Sequence, residues 1–231
     1  MCNNKSNSEI SIVDDFDASF NCDNITDFIT DISDASFSQF LKCGDFTNLP
    51  IFGLFATGMR VIQDWSTYRL AKKVYHFLFD TKELTTDEKT QFLDELSAES
   101  KDNGSEVLLM VIHRIDNIQK IKILANLVKH KVYDDIDIKT FLRLTTILER
   151  ISCADFDAIH KYIIDRYEPL ETDSLYTSGI LFESIIDTNT IPKYKLNSLG
   201  IQFLKYGLEK EVDESTSPNH IKTVTGYARL G

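Results

Sequence analysis

Apolar residues recur at three- and four-residue steps through most of this 231-residue chain, and that spacing is the feature that most constrains its fold. Such steps place apolar side chains on one face of an α-helix. The chain has only nine Gly and four Pro, too few for the frequent turns of a many-stranded sheet. Its 42% of hydrophobic residues suffices for a sizeable core. The sequence therefore predicts a mainly α protein built around a multi-helix bundle.

Start signals mark several of the predicted helices. Pro50 suits the first turn of a helix that runs to about Lys82. Thr85 and Glu88 have the spacing of a capping box, in which each residue satisfies a backbone N–H of the other. Four further helices are predicted, with these start residues: Ser105, Asp116, Asp135 or Asp137, and Ser152 with Asp155.

The pattern changes after Pro169. Residues 180–196 hold two β-rich runs on either side of a polar turn at 187–190, which predicts a hairpin. The order of helix, hairpin and helix resembles the end of a winged-helix domain, with the hairpin as the wing. We therefore expect four parts: an acidic arm with an amphipathic helix (1–48), a helical core (49–165), a winged-helix-like α/β-hairpin unit (166–208) and a flexible tail (209–231).

Charge divides the first third of the chain. Residues 1–48 hold nine carboxylates against Lys5 and Lys42, a net charge of −7 out of −11 for the whole chain. The segment Leu49–Phe79 combines an apolar start with basic residues, and we expect Trp65 to lie in its buried stripe. The acidic arm has an apolar face and a negative charge, and both suit contact with this segment. The polar residues 1–12 at its start are expected to lack regular structure.

Three functions stay open. The leading one is a protein-interaction or regulatory protein. The first alternative is a membrane-acting effector that uses Leu49–Phe79, masked by the acidic arm until triggered. The predicted contacts for a protein partner or a membrane are Phe28, Ile29, Ile32, Pro50, Phe52, Arg60, Arg69, Lys72 and Lys73. The second alternative is nucleic-acid binding through the winged-helix-like unit, with Lys193, Lys195 and Lys205 as contacts. Homo-oligomerisation is a further open point.

Motifs for catalysis or metal binding are weak or missing. Residues 15–23 space oxygen donors as a calcium loop does, but Phe20 stands where Gly is needed and Thr26 where Glu is needed. The five His residues form no ligand pair, and neither a Gly-x-Ser-x-Gly elbow nor a P-loop occurs. We therefore predict a non-enzymatic protein with no catalytic residue, cofactor or metal.

The expected location is cytoplasmic. The N-terminal sequence has no apolar signal-peptide core. The longest low-charge window, 46–59, is shorter than the roughly 20 apolar residues that a membrane-spanning helix needs.

Several short motifs together resemble the bacterial Abi-alpha proteins, a family named for abortive phage infection. The resemblance covers most of residues 45–208 and implies a role in bacterial phage defence. It brings no catalytic residues with it. The motifs are Asn48–Gly53, Ala71–Lys73, Ile121–Leu127, Phe141 and Tyr194–Gly200.

Overall fold

A computed structural model describes residues 5–22, 34–44, 46–62, 65–185 and 192–212. The predicted contacts Phe28, Ile29 and Ile32 lie outside these residues. The chain divides into two compact units, Met1–Cys153 and Ala154–Gly231. The four parts expected from the sequence, with boundaries at 48, 165 and 208, stay a prediction.

The described residues of the first unit form helices joined by short loops. Its helix caps agree with the sequence predictions. Thr85 and Glu88 form the predicted capping box, and Asp137, one of the two predicted start residues, caps the helix that begins at Ile138. Asn103 and Asn117 cap two others, each within two residues of the predicted start. The helices are α1 (Lys5–Phe20), α2 (Asp34–Cys43), α3 (Pro50–Ile62), α4 (Trp65–Asp80), α5 (Thr86–Ser100), α6 (Gly104–Arg114), α7 (Ile118–Val132) and α8 (Ile138–Arg150).

Helix α1 corrects the expectation that residues 1–12 lack regular structure, because it begins at Lys5. Its stability comes from packing rather than from local sequence. Phe16 and Phe20 are fully buried, and α1 packs against α3 and α6. The Ser19 hydroxyl also accepts a hydrogen bond from the backbone N–H of Ile51, at 3.2 Å, at the start of α3. Tertiary contacts of this kind routinely stabilise helices with weak local signals.

Helix α2 covers the apolar start of α3 with aromatic rings. Phe40 packs edge-on against Phe52 at 5.4 Å between ring centroids, and Phe37 packs against Tyr75 of α4 at 5.3 Å. Phe52 itself is fully buried. The part of the acidic arm within α2 therefore contributes to the same core as α3 and α4.

The remaining helices of this unit complete the bundle. Helix α4 packs on α7, α5 packs on α6, and α7 packs on α8. Phe92 and Phe141 meet edge to face at 5.3 Å, joining α5 to α8. Within the described residues, none of the helices in either unit combines the length and the apolarity needed to cross a bilayer.

The second unit contains the predicted hairpin. Its described elements are α9 (Phe156–Ile159), a 3-10 turn (His160–Ile163), α10 (Pro169–Ser178), β1 (Leu181–Ile185), β2 (Lys193–Leu196), α11 (Ser198–Gln202) and a π-helical turn (Phe203–Gly207). The sixth helix expected from Ser152 is instead a 3-10 turn (Cys153–Asp155) followed by α9 and the second 3-10 turn. The mainly α fold with a small antiparallel hairpin near the C-terminus is confirmed.

The hairpin register fixes which side chains share a face. Strands β1 and β2 are antiparallel, with Leu181 opposite Leu196 and Glu183 opposite Tyr194. Arg166 exchanges two backbone hydrogen bonds with Tyr194, at 2.9 and 3.0 Å, on the other side of β2. Because side chains alternate along a strand, Glu183, Tyr194 and Leu196 point to one face of the hairpin.

Candidate binding surfaces

The exposed Trp65 marks a concave surface on the first unit. The concavity has a volume of about 280 Å³, and we call it the Trp65 pocket. It lies between α4 and the start of α7. Its lining residues are Trp65, Tyr68, Arg69, Lys72, Lys73, Asp116, Asn117 and Ile118.

Trp65 itself corrects the expectation of a buried stripe. It is 69% exposed, and its ring stacks on Tyr68 at 5.6 Å with the planes 23° apart. Phe37 packs against the Tyr68 ring at 5.6 Å and against Tyr75 as well. Tyr68, in contact with both Phe37 and Trp65, therefore lies between the buried aromatic residues and the exposed indole.

Two cations of α4 hold the turn between α6 and α7. The Lys73 ammonium donates hydrogen bonds to the carbonyls of His113 and Ile115, at 2.7 and 2.8 Å. The Arg69 guanidinium donates to the carbonyl of Asp116 at 2.6 Å. The last carbonyls of a helix have no partner within it, so Lys73 satisfies groups that the end of α6 leaves open, while Arg69 binds the turn that follows.

The electrostatics of the pocket favour an anion. Burial lowers the pKa of Lys73, and the nearby positive charge of Arg69 lowers it further, while Asp116 opposes that shift. The Asp116 carboxylate is already bound by Lys120 at 2.8 Å, and this hydrogen bond is the main cause of its lowered pKa. The lining contains three cations against this one engaged carboxylate. A negatively charged ligand would reduce the repulsion between Arg69 and Lys73.

The predicted contact residues fall into distinct positions. Arg69, Lys72 and Lys73 all line the Trp65 pocket. Pro50 is half-buried at the start of α3, and Phe52 lies in the core rather than on a surface. Arg60 belongs to α3 by its backbone, and its side chain is outside the described residues.

The three predicted nucleic-acid contacts lie in the second unit. Lys193 and Lys195 alternate with Tyr194 along β2, so they point to the opposite face of the hairpin from the Tyr194 ring. Lys205 lies in the π-helical turn, with its ammonium 5.0 Å from the Tyr206 ring centroid.

Sequence reasoning missed the far wall of the Trp65 pocket. This wall consists of Asp116, Asn117 and Ile118, at the turn before α7 and its first residue. Asp116 lies 47 residues after Arg69 in the sequence. No short-range pattern links that turn to α4. The one available signal was an aromatic and basic run at 65–73, which a buried stripe explained equally well.

Comparison with protein-family models, with curated proteins and with solved structures finds no match to this chain. The resemblance to Abi-alpha proteins therefore stays a prediction. Across the part of the chain that the structure describes, no group of three or more His, Cys, Asp or Glu residues is placed to hold a metal ion.

Proposed function

We propose that this chain is a non-enzymatic protein-interaction protein, and that the Trp65 pocket binds an acidic segment of a partner protein. The observation that carries the proposal is the 69% exposure of Trp65 beside Tyr68 and Arg69. Trp, Tyr and Arg are the residue types most enriched among the few side chains that dominate binding energy at protein interfaces.

The chemistry of the pocket selects the kind of segment. The flat Trp65 ring offers apolar area to a partner side chain. Among the described residues, Arg69 donates one hydrogen bond, from its Nη2 atom to the Asp116 carbonyl, and because a guanidinium has five N–H donors, others can bind a carboxylate. We therefore expect a segment that places an apolar side chain on Trp65 and carboxylates near Arg69.

A labelled peptide tests this proposal on the full chain. The probe is a short Gly- and Ser-based peptide with two Glu residues around one Leu, followed by fluorescence anisotropy. Trp65→Ala and Arg69→Gln should each weaken binding by about tenfold or more, as for central interface residues. Tyr133→Ala is the matched control, because Tyr133 is a 55% exposed ring elsewhere on the same unit.

Three results would contradict the proposal. Binding that is equal in Trp65→Ala and the intact chain would remove the pocket from the interaction. An equal loss in Tyr133→Ala would show an unspecific aromatic effect. Concentration-dependent self-association that Trp65→Ala abolishes, measured by sedimentation, would make a second copy of this chain the occupant instead.

The membrane-acting effector is a second candidate, favoured by one observation. Helix α2 packs on Phe52 through Phe40, so displacing α2 would expose part of the apolar surface around Phe52. Phe37→Asp should displace it in the full chain and cause co-sedimentation with liposomes of anionic lipid. Gln39→Asp, an exposed position on the same helix, adds the same charge as a control. If Phe37→Asp remains free of liposomes while binding a hydrophobic dye, this candidate fails.

The proposed biological context is a cytoplasmic component of bacterial phage defence. It is supported by the Abi-alpha resemblance of residues 45–208 alone. Expression in a phage-sensitive bacterium should lower plaque numbers, and Trp65→Ala should restore them. Unchanged plaque numbers with the intact chain would count against this context.

A winged-helix form for the second unit belongs to the same proposal. The hairpin between α10 and α11, with the backbone bridge from Arg166 to β2, supports it. Between that bridge and the hairpin, however, stands the single ten-residue helix α10, whereas a helix-turn-helix reader carries two helices. Nucleic-acid binding by Lys193, Lys195 and Lys205 stays a prediction.

A further inference from the structure

Three tyrosine rings meet on the second unit. Tyr176 of α10 packs edge-on against Tyr194 of β2, with 5.4 Å between ring centroids and 70° between planes. Tyr167, just before α10, lies 6.3 Å from Tyr194 in a stacked arrangement at 28°. We call Tyr167, Tyr176 and Tyr194 the tyrosine cluster.

The tyrosine cluster faces solvent. Tyr176 is 51% exposed and Tyr167 is 38% exposed, and Tyr194 is half-buried beneath them. Aromatic rings carry the largest apolar area of any side chains, and burying them against a partner is correspondingly favourable. Rings held in contact by three separate segments form a prearranged surface, which lowers the ordering cost of binding.

Carboxylates border the rings. Glu183 stands directly opposite Tyr194 in the hairpin, and Asp173 is three residues before Tyr176 on one face of α10. Burial chiefly raises the pKa of the Tyr194 hydroxyl, and the negative charges of Glu183 and Asp173 raise it further. Both carboxylates therefore lie close enough to act on the central ring of the cluster.

The cations of this region are engaged elsewhere. Residues 154–185 hold seven carboxylates against Lys161 and Arg166. Lys161 is paired with Glu171 at 3.5 Å, and Arg166 with Glu168 at 3.0 Å. In the described part of the chain, neither Asp173 nor Glu183 has an ion-pair partner. The two lysines of β2 point to the other face of the hairpin.

We propose that the tyrosine cluster binds an arginine-bearing segment of a partner protein. A guanidinium stacks on aromatic faces and is more weakly hydrated than an ammonium, so the rings favour arginine over lysine. Its planar fork donates paired hydrogen bonds to a carboxylate, which Glu183 and Asp173 supply beside the rings. This site has the opposite charge to the Trp65 pocket and takes a different ligand, so it stands independently of the function proposed above.

Matched peptides test the site on the full chain. The probes are three labelled Gly- and Ser-based peptides that carry two Arg, two Lys or two Gln residues, followed by fluorescence anisotropy. We expect the order of affinity to be Arg, then Lys, with no measurable binding of the Gln peptide. Tyr176→Ala and Glu183→Gln should each weaken Arg-peptide binding by about tenfold, in the range seen for central interface residues.

Conservative and distant variants keep the test interpretable. Tyr176→Phe keeps the ring and should bind the Arg peptide within about twofold of the intact chain, which separates ring stacking from a hydroxyl contact. Lys195→Gln, on the opposite face of the hairpin, should leave binding unchanged. Circular dichroism of each variant shows that the fold is retained.

Four outcomes would overturn the proposal. The first is equal binding of the Gln and Arg peptides. The second is unchanged Arg-peptide affinity in both folded Tyr176→Ala and folded Glu183→Gln. The third is a loss as large in Lys195→Gln. The fourth is self-association that Tyr176→Ala abolishes, since the cluster would then be an interface between two copies of the chain.

Discussion

The Trp65 pocket and the tyrosine cluster both present aromatic rings to solvent, but they differ in how their charges are held. In the pocket, Arg69 and Lys73 are bound to backbone carbonyls of the turn after α6. Around the cluster, Asp173 and Glu183 have no ion-pair partner within the described residues. The pocket's charges thus also support the fold, whereas the cluster's charges are available for a ligand. Changes at the two surfaces should therefore separate stability from binding.

The largest expected effect contrasts a buried ring with the exposed one. Phe52→Ala should lower the free energy of unfolding by about 3–5 kcal/mol, because it removes a fully buried ring and leaves a cavity. Trp65→Ala should change it by about 0.5 kcal/mol or less, as an exposed substitution does. Denaturant unfolding followed by circular dichroism measures both. Equal losses in the two variants would show that Trp65 belongs to the core.

The next effect compares the charges of the two surfaces. Lys73→Met should lower the free energy of unfolding by about 1–3 kcal/mol, since it leaves the carbonyls of His113 and Ile115 without their buried donor. Glu183→Gln should change it by about 0.5 kcal/mol or less. The same unfolding experiment applies. A larger loss in Glu183→Gln than in Lys73→Met would reverse the assigned roles.

Salt should weaken both interactions while leaving their ligand preferences opposite. Raising the ionic strength from about 0.05 to 0.5 M screens exposed charges. An exposed ion pair contributes about 1 kcal/mol or less to the free energy of an interaction. We expect several-fold weaker binding of the acidic peptide to the Trp65 pocket and of the Arg peptide to the tyrosine cluster. Titrations at both salt concentrations measure this. Affinities that do not respond to salt would mean that charge does not select these ligands.

The smallest effect is a pH dependence in the first unit. The pKa of Asp116 is lowered in the folded chain, chiefly by the hydrogen bond from Lys120. Its stabilisation is therefore present above the ordinary value of 3.8 and is lost as the pH falls through the lowered pKa. Because the Asp116 carboxylate is 71% exposed, screening by solvent limits its contribution to the free energy of unfolding to about 1 kcal/mol or less.

Unfolding of the intact chain and of Asp116→Asn at several pH values tests the sign. The difference in unfolding free energy should be present at neutral pH and should shrink below 3.8. A difference that grows as the solution becomes more acidic would contradict it.

The fold was largely readable from local patterns. Residues that are close together in the sequence were enough to predict three features: the capping box at Thr85 and Glu88, the helix start at Pro50 and the hairpin around 180–196. Helix α1 was not readable, because burial of Phe16 and Phe20 against distant helices stabilises it. Local sequence carries no record of such contacts.

The candidate sites were readable only in part. The run from Arg69 to Lys73 was recognised as a contact surface, but periodicity alone placed Trp65 on the buried side of its helix. In the structure, Phe37 packs against Tyr68 and Tyr75 of this helix while Trp65 is exposed, and no spacing rule supplies that difference. The tyrosine cluster could not be predicted because its three rings come from separate segments. Tyr167 precedes α10, Tyr176 lies in α10 and Tyr194 lies in β2.

The most direct test of this account uses Trp65, the only tryptophan of the chain, as its own reporter. In the free protein its emission should be close to that of indole in water, and iodide should quench it readily. The acidic peptide should shift the emission to shorter wavelength and protect it from iodide, while the Arg peptide should leave it unchanged. Blue-shifted, protected emission in the free protein, or an equal response to both peptides, would contradict the account.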